Sequence, residues 1–270
     1  MISPVTQAVV DFIVGEAAGA PSPLVIGLAG AQGSGKSTVA AEAARALSAQ
    51  GLSCHVLALD DLYLTAADRR RLAAEVHPLL ATRGPPGTHD VSLGLSILAG
   101  LKAGRPTRVP RFDKLTDDVA PAGSWPLIED APRVILFEGW CMGASPQPSA
   151  DLVEPINALE AADDRRAEWR GFVNARLATD YAALFGELDR LIFLRAPGFD
   201  VVRRWRGEQE ENAVRADRSS RGMEGAAMDR FVAHYERLTR WMLREIPGRA
   251  DLVIDLDGER HLLAVHRATG

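Results

Sequence analysis

Eight consecutive residues, Gly30-Ala-Gln-Gly-Ser-Gly-Lys36-Ser37, form the pattern GxxxxGK[ST]. Glycines at this spacing let successive backbone N–H groups turn toward phosphate oxygens, and a helix beginning there adds partial positive charge. Lys36 then reaches the terminal phosphates and Ser37 can ligate Mg²⁺. A merely flexible Gly/Ser turn would not explain the apolar run before it and the Ala-rich helical run after it. Gly30, Ala31, Gln32, Gly33, Ser34, Gly35, Lys36, Ser37 and Thr38 are therefore the candidate nucleotide-binding residues.

Acids follow two other apolar runs. Asp60 and Asp61 come directly after Ser53–Leu59. They either cap the next turn or stand at the carboxyl edge of a sheet, where one could take the proton of an acceptor hydroxyl. Glu138 follows Arg133–Phe137, the position from which a strand-end carboxylate orients hydrated Mg²⁺; the alternative is a solvated strand end. Further on, Arg203, Arg204, Arg206, Arg215, Arg218 and Arg221 alternate with Glu208, Glu210, Glu211 and Asp217. Such a run is a solvated helix face with weak i,i+4 pairs, or a lid, about residues 198–222, that brings guanidinium groups to a transferring phosphoryl. His89-Asp90 and Arg111-Phe-Asp-Lys114 fall in loops and could touch an acceptor, although Asp90 is also placed to cap a helix.

These groups need a scaffold. Apolar runs at Leu24–Ala29, Ser53–Leu59, Arg133–Phe137, Arg190–Leu194 and Leu252–Leu256 are continuous rather than alternating, as in parallel strands covered on both faces. Helical patterns lie between them. The expected fold is an α/β doubly wound parallel sheet of about five strands with helices on both faces, in a single domain over residues 1–270. Ser3 and Pro4 open a first helix, Thr65 to Asp68 resembles a capping box, and residues 160–188 are mostly helical. Arg83-Gly-Pro-Pro-Gly-Thr-His-Asp90 reads as a rigid loop, and the proline-rich stretch 104–126 as a long functional one.

Composition excludes several classes. The chain is 47% hydrophobic and 25% charged, values of an ordinary globular protein. A formal charge of -5 offers no global field for nucleic acid or anionic membrane, so any anion site is local. No Asn-Lys-x-Asp element for guanine recognition occurs. Cys54 and Cys141 form no metal-ligand or redox spacing, the N-terminus has no basic leader, and no apolar run is long enough to span a bilayer. The expectation is a soluble cytoplasmic protein that uses ATP and Mg²⁺ to phosphorylate a small molecule, with a nucleotide-dependent regulatory ATPase as the alternative.

The motif order then becomes specific. Gly30-Ala-Gln-Gly-Ser-Gly-Lys-Ser-Thr38, Asp60-Asp-Leu-Tyr-Leu-Thr65, Arg83-Gly-Pro-Pro-Gly-Thr-His-Asp90, Pro110-Arg-Phe-Asp-Lys114 and Phe137-Glu-Gly-Trp-Cys-Met-Gly143 resemble the plant- and fungal-type D-glycerate 3-kinases and their bacterial relatives. Val173-Asn-Ala-Arg-Leu177, Trp205-Arg-Gly-Glu-Gln-Glu210 and Tyr235-Glu-Arg-Leu-Thr239 continue the likeness over nearly the whole chain. More distantly the sequence is similar to the phosphoribulokinase, uridine kinase and pantothenate kinase superfamily. That resemblance implies Asp60 as the base, Lys36, Arg203 and Arg206 as phosphate contacts, and Ser37 with Glu138 at the metal. It also implies D-glycerate as acceptor and 3-phosphoglycerate as product, with Asp61, Tyr63, Arg83, His89, Asp90, Arg111 and Lys114 on the acceptor side. A nucleoside or a pantothenate-like alcohol is the alternative acceptor.

Overall fold

The computed structural model describes residues 2–19, 23–216 and 225–268, the side chains of residues 210–216 excepted. The chain runs α1 (Pro4–Ala17), β1 (Leu24–Gly30), α2 (Lys36–Ala49), β2 (Cys54–Ala58), α3 (Ala66–Glu75) and α4 (Val91–Lys102). Four two-residue strands follow: β3 (Thr107–Arg108), β4 (Phe112–Asp113), β5 (Asp118–Val119) and β6 (Leu127–Ile128). After β7 (Val134–Gly139) come α5 (Ala158–Asp163), α6 (Glu168–Ala178), α7 (Asp180–Phe185) and β8 (Arg190–Arg195). The chain closes with α8 (Asp200–Ala216), α9 (Gly225–Glu245), β9 (Leu252–Leu256) and β10 (Leu262–Arg267). Of the expected lid, residues 217–222, with Asp217, Arg218 and Arg221, lie outside the described residues, as do the side chains of Glu210, Glu211 and Arg215.

The main sheet has the order β10-β9-β8-β1-β7-β2. Its first five strands in chain order are parallel and match the five apolar runs. The sixth, β10, pairs antiparallel with β9 at the edge of the expected parallel sheet. Leu262 and Ala264 are half-buried and its other four residues exposed, and its apolar stretch is only Leu262–Val265 before His266 and Arg267, shorter than the signal of a covered strand.

All seven residues of β1 are buried. Leu24, Ile26 and Leu28 face a core shared with Val9 and Ile13 of α1 and with Val39, Ala43 and Leu47 of α2. Val25 and Ala29 face the opposite core, with Leu98 of α4, Tyr181 of α7 and Leu238 of α9. Covering both faces leaves the carboxyl ends of the strands as the open edge. The chain leaves β1 toward β2 on one side, whereas β7 leads to β8 on the other, and this reversal opens a crevice at the tip of β1.

Local chemistry sets the helix starts. Ser3, Thr65 and Asp90 accept from the backbone N–H groups of Thr6, Asp68 and Leu93. Residues 160–188 are broken after α5, where buried Asp164 accepts from the N–H groups of Trp169 and Arg170 and pairs with the Arg170 guanidinium at 2.9 Å. The 104–126 stretch and the two residues after it form two small ladders, β3 with β6 and β4 with β5. Among the described residues no helix is long and apolar enough to cross a membrane.

Candidate active site

The turn between β1 and α2 carries Gly33 at φ +74° and Gly35 at φ +88°, left-handed conformations open to glycine at little cost. A Cβ on Gly33 would also lie 2.6 Å from Cβ of Trp205 on α8, so the turn and that helix are in direct contact. No side chain caps α2, whose N-cap is Gly35. Its first N–H groups are thus available to an anionic ligand. Gln32 Oε1 and Ser34 Oγ are buried here without a hydrogen-bond partner among the described residues.

Ser37 Oγ donates to Glu138 Oε1 at 2.6 Å, tying the start of α2 to the end of β7. Burial pushes the Glu138 carboxyl up and the nearby Lys36 charge works against it. Among the described residues no cluster of three or more His, Cys, Asp or Glu could by itself hold a metal. One hydroxyl and one buried carboxylate instead fit Mg²⁺, which keeps waters and phosphate oxygens as its remaining ligands.

Asp60 stands in a short helical turn, Leu59–Leu62, just beyond β2. Its Oδ1 accepts from the Tyr63 hydroxyl and its Oδ2 from Lys114 Nζ, both at 2.8 Å. Burial would raise this carboxyl, but the charges of Lys114 and Lys36 and the two hydrogen bonds overcome it and hold the group well below the usual carboxylate range. Asp60, Lys36 and Ser37 line one cleft of about 520 Å³, together with Gln32 and Gly33 of the turn. Tyr63, Arg83, Lys114, Trp140, Arg206, Phe231 and Tyr235 also line the cleft.

Other candidates have structural duties. Asp61 does not line the cleft; it accepts from Arg111 at 2.8 Å and from the Phe112 N–H at 3.0 Å, so Asp61 and Arg111 together anchor β4. Asp90 caps α4. His89 lies beneath Tyr63, with ring centroids 4.7 Å apart, and its Nδ1 bonds the Tyr181 hydroxyl. Burial pushes His89 down to about 4 despite the opposing Asp60 charge, so the ring is neutral at pH 7. Arg203 pairs with Asp229 of α9 and is not part of the cleft wall, whereas the Arg206 guanidinium sits 5.1 Å over the Phe231 ring inside it.

Several residues here had no assigned chemistry in the sequence. Trp140 and Tyr235 lie within recognised motifs, which was the one available signal, but nothing local says that they meet Arg83 and Gly84. Arg260, in the β9–β10 turn, donates to the Gly33 carbonyl at 2.5 Å and stacks 5.0 Å over Trp205. No spacing rule links a residue to a turn 227 positions away.

No family model matches the chain. An uncharacterized kinase of Schizosaccharomyces pombe is 32% identical over 261 residues, covering 90% of this chain and 91% of that protein. The chloroplastic D-glycerate 3-kinase of Arabidopsis thaliana is 32% identical over 258 residues, covering 88% of this chain and 54% of that enzyme, so the chain spans about half the plant protein. Among solved structures, D-glycerate 3-kinase from Cryptococcus neoformans var. grubii shares the fold with a TM-score of 0.83, covering 99% of this chain and 100% of that one at 22% identity.

A phosphate-binding turn on the first strand of a parallel sheet, with these relatives, defines a P-loop kinase, an ATP-dependent phosphotransferase. Within that class, the chain belongs to the family that includes the fission-yeast kinase and D-glycerate 3-kinase.

Proposed function

We propose that the protein transfers the γ-phosphoryl of MgATP to the primary hydroxyl of D-glycerate, giving 3-phosphoglycerate. The observation that carries this reading is one cleft lined by Lys36, Ser37 and Asp60, with Lys114 bonded to that carboxylate and the cation Arg83 in the same lining. A hydroxy acid needs both: an anion to align its hydroxyl and a cation to meet its carboxylate. The likeness to D-glycerate 3-kinase supports the same acceptor.

In this mechanism the backbone of Gly30–Thr38 wraps the phosphates, while Lys36 and Arg206 balance the charge that spreads over the transferring group. Ser37 and Glu138 would hold Mg²⁺, which would supply positive charge against the phosphates. Asp60 accepts the hydrogen bond of the acceptor hydroxyl, fixes its line of attack and takes its proton as the O–P bond forms and the bond to the leaving ADP breaks. A carboxylate held ionised so strongly is a weak base, which suits a loose transition state in which positioning matters most. Arg83 meets the acceptor carboxylate, and Lys114 moves between Asp60 and that carboxylate as the acceptor enters. Arg203, Asp61, Arg111, His89 and Asp90 act from behind, holding the elements that carry these groups. The start of α8 belongs to a lid within one domain, and Arg206 is its contact to the phosphates. Free, largely buried Cys54 and Cys141 suit a reducing cytoplasm.

The test is an assay of purified protein with MgATP and a panel of hydroxy acids, nucleosides and pantothenate, reading ADP release and locating the new phosphate by ³¹P NMR. D-Glycerate-dependent release with phosphate on the terminal carbon is the expected result. Release that ignores every acceptor would mark a regulatory ATPase, and preference for a nucleoside or pantothenate would reassign the substrate.

A further inference from the structure

The segment Tyr235-Glu-Arg-Leu-Thr239 lies on α9, whose position is fixed by a buried grip. Arg237 bonds both carboxylate oxygens of Glu160 on α5, at 2.8 and 2.7 Å, and the carbonyls of Asp151 and Glu154. Two residues earlier, the Tyr235 hydroxyl donates at 2.9 Å to the backbone carbonyl of Arg83. The next carbonyl, that of Gly84, accepts from the Trp140 indole at 3.0 Å, and the Gly84 N–H is held by Thr88 Oγ1 at 3.0 Å. Gly84 has φ +120°, and the place a Cβ would take lies 2.0 Å from the Tyr235 hydroxyl oxygen. Tyr235 thus occupies the side-chain space of Gly84 and holds the peptide from which the Arg83 side chain springs. At its other end the Arg83 guanidinium is braced by Asp117 and lies 5.5 Å over the Phe112 ring.

We propose that Tyr235 is a positioning residue: by holding the Arg83 carbonyl it sets where the guanidinium stands in the cleft, and hence how tightly a carboxylate-bearing acceptor is bound. The inference rests on Arg83 being the cation that meets that carboxylate. A guanidinium directed at a planar anion loses its paired hydrogen bonds when its origin shifts by a fraction of an ångström. Tyr235→Phe removes only the hydroxyl and keeps the ring edge-on to Trp140 at 4.9 Å, so the fold is retained.

Steady-state kinetics of the wild type, Tyr235→Phe, Arg83→Lys and the double variant provide the test. With Tyr235→Phe, KM for D-glycerate rises about tenfold, the effect of one lost hydrogen bond, with little change in kcat. KM for ATP stays within about twofold, and the preference for glycerate over glycerol falls. In the Arg83→Lys background the same change adds nothing, because the group it positions is gone. An equal added loss in that background, or a loss shared with ATP, overturns the proposal. Failure of the wild type to phosphorylate D-glycerate overturns the acceptor reading instead. The mechanical link is then judged by the Arg83 Nε–H resonance in ¹⁵N NMR, assigned through its loss in Arg83→Lys. A shift in Tyr235→Phe sustains the link and an unchanged resonance ends it.

Discussion

Lys114 Nζ lies 2.8 Å from Asp60 Oδ2, so two residues 54 positions apart meet in the wall of the cleft as an ion pair. Burial favours the neutral Asp60 carboxyl, but the Lys114 and Lys36 charges prevail. Its ionised form is therefore favoured by folding. That contribution is present above the unfolded carboxylate pKa and is lost as pH falls through the depressed folded value. Lys114→Met is expected to move the acid limb of the kcat/KM profile to higher pH, toward the ordinary carboxylate range. A profile unchanged by the substitution would show that Asp60 is held by other groups.

Asp60→Asn should reduce kcat by roughly 10²–10⁴-fold while a non-hydrolysable ATP analogue binds as before, since the amide cannot take a proton and the phosphate turn is untouched. Lys36→Ala should instead abolish turnover through the nucleotide, with the circular dichroism spectrum unchanged. Titration calorimetry beside the kinetics separates the two.

Glu138 is 6% exposed, and burial pushes its carboxyl up. A raised acid is favourable to folding below its unfolded pKa, and this is lost as pH rises through the folded value. Glu138→Gln should accordingly raise Tm of the ligand-free protein at neutral pH. The same variant should need about 10–100-fold more Mg²⁺ for half-maximal rate. A lower Tm together with an unchanged Mg²⁺ requirement would show that Glu138 serves the fold and not the metal.

Arg237→Ala should destabilise the protein by about 3–5 kcal/mol in urea unfolding, because Glu160, with a fully buried side chain, would be left as an unpaired charge. Replacing both partners by apolar residues of similar volume should cost much less. Equal losses in the two cases would assign the effect to packing.

Much of the site was legible because its chemistry is local. The phosphate turn is contiguous, Asp60 and Glu138 directly follow apolar strands, and Ser3, Thr65 and Asp90 each bond a backbone N–H three residues on. Such features depend on neighbours a few positions away, and five apolar strands announce themselves by composition. The antiparallel edge strand β10 did not, since its apolar stretch is four residues long and gives way to exposed His266 and Arg267.

The sequence by itself thus determined a parallel α/β sheet, a phosphate-binding turn and acids at the strand ends. Tertiary structure alone decided which cation serves which acid: Lys114 goes to Asp60, Arg111 to Asp61, and Arg203 to Asp229 of α9. It also decided that Tyr235 reaches Arg83 across 152 residues. The physical reason is that a charge or a hydroxyl carries no mark of its partner. Its partner is chosen by the packing of buried apolar faces, which brings distant loops to one strand edge and leaves each polar group only the neighbours found there.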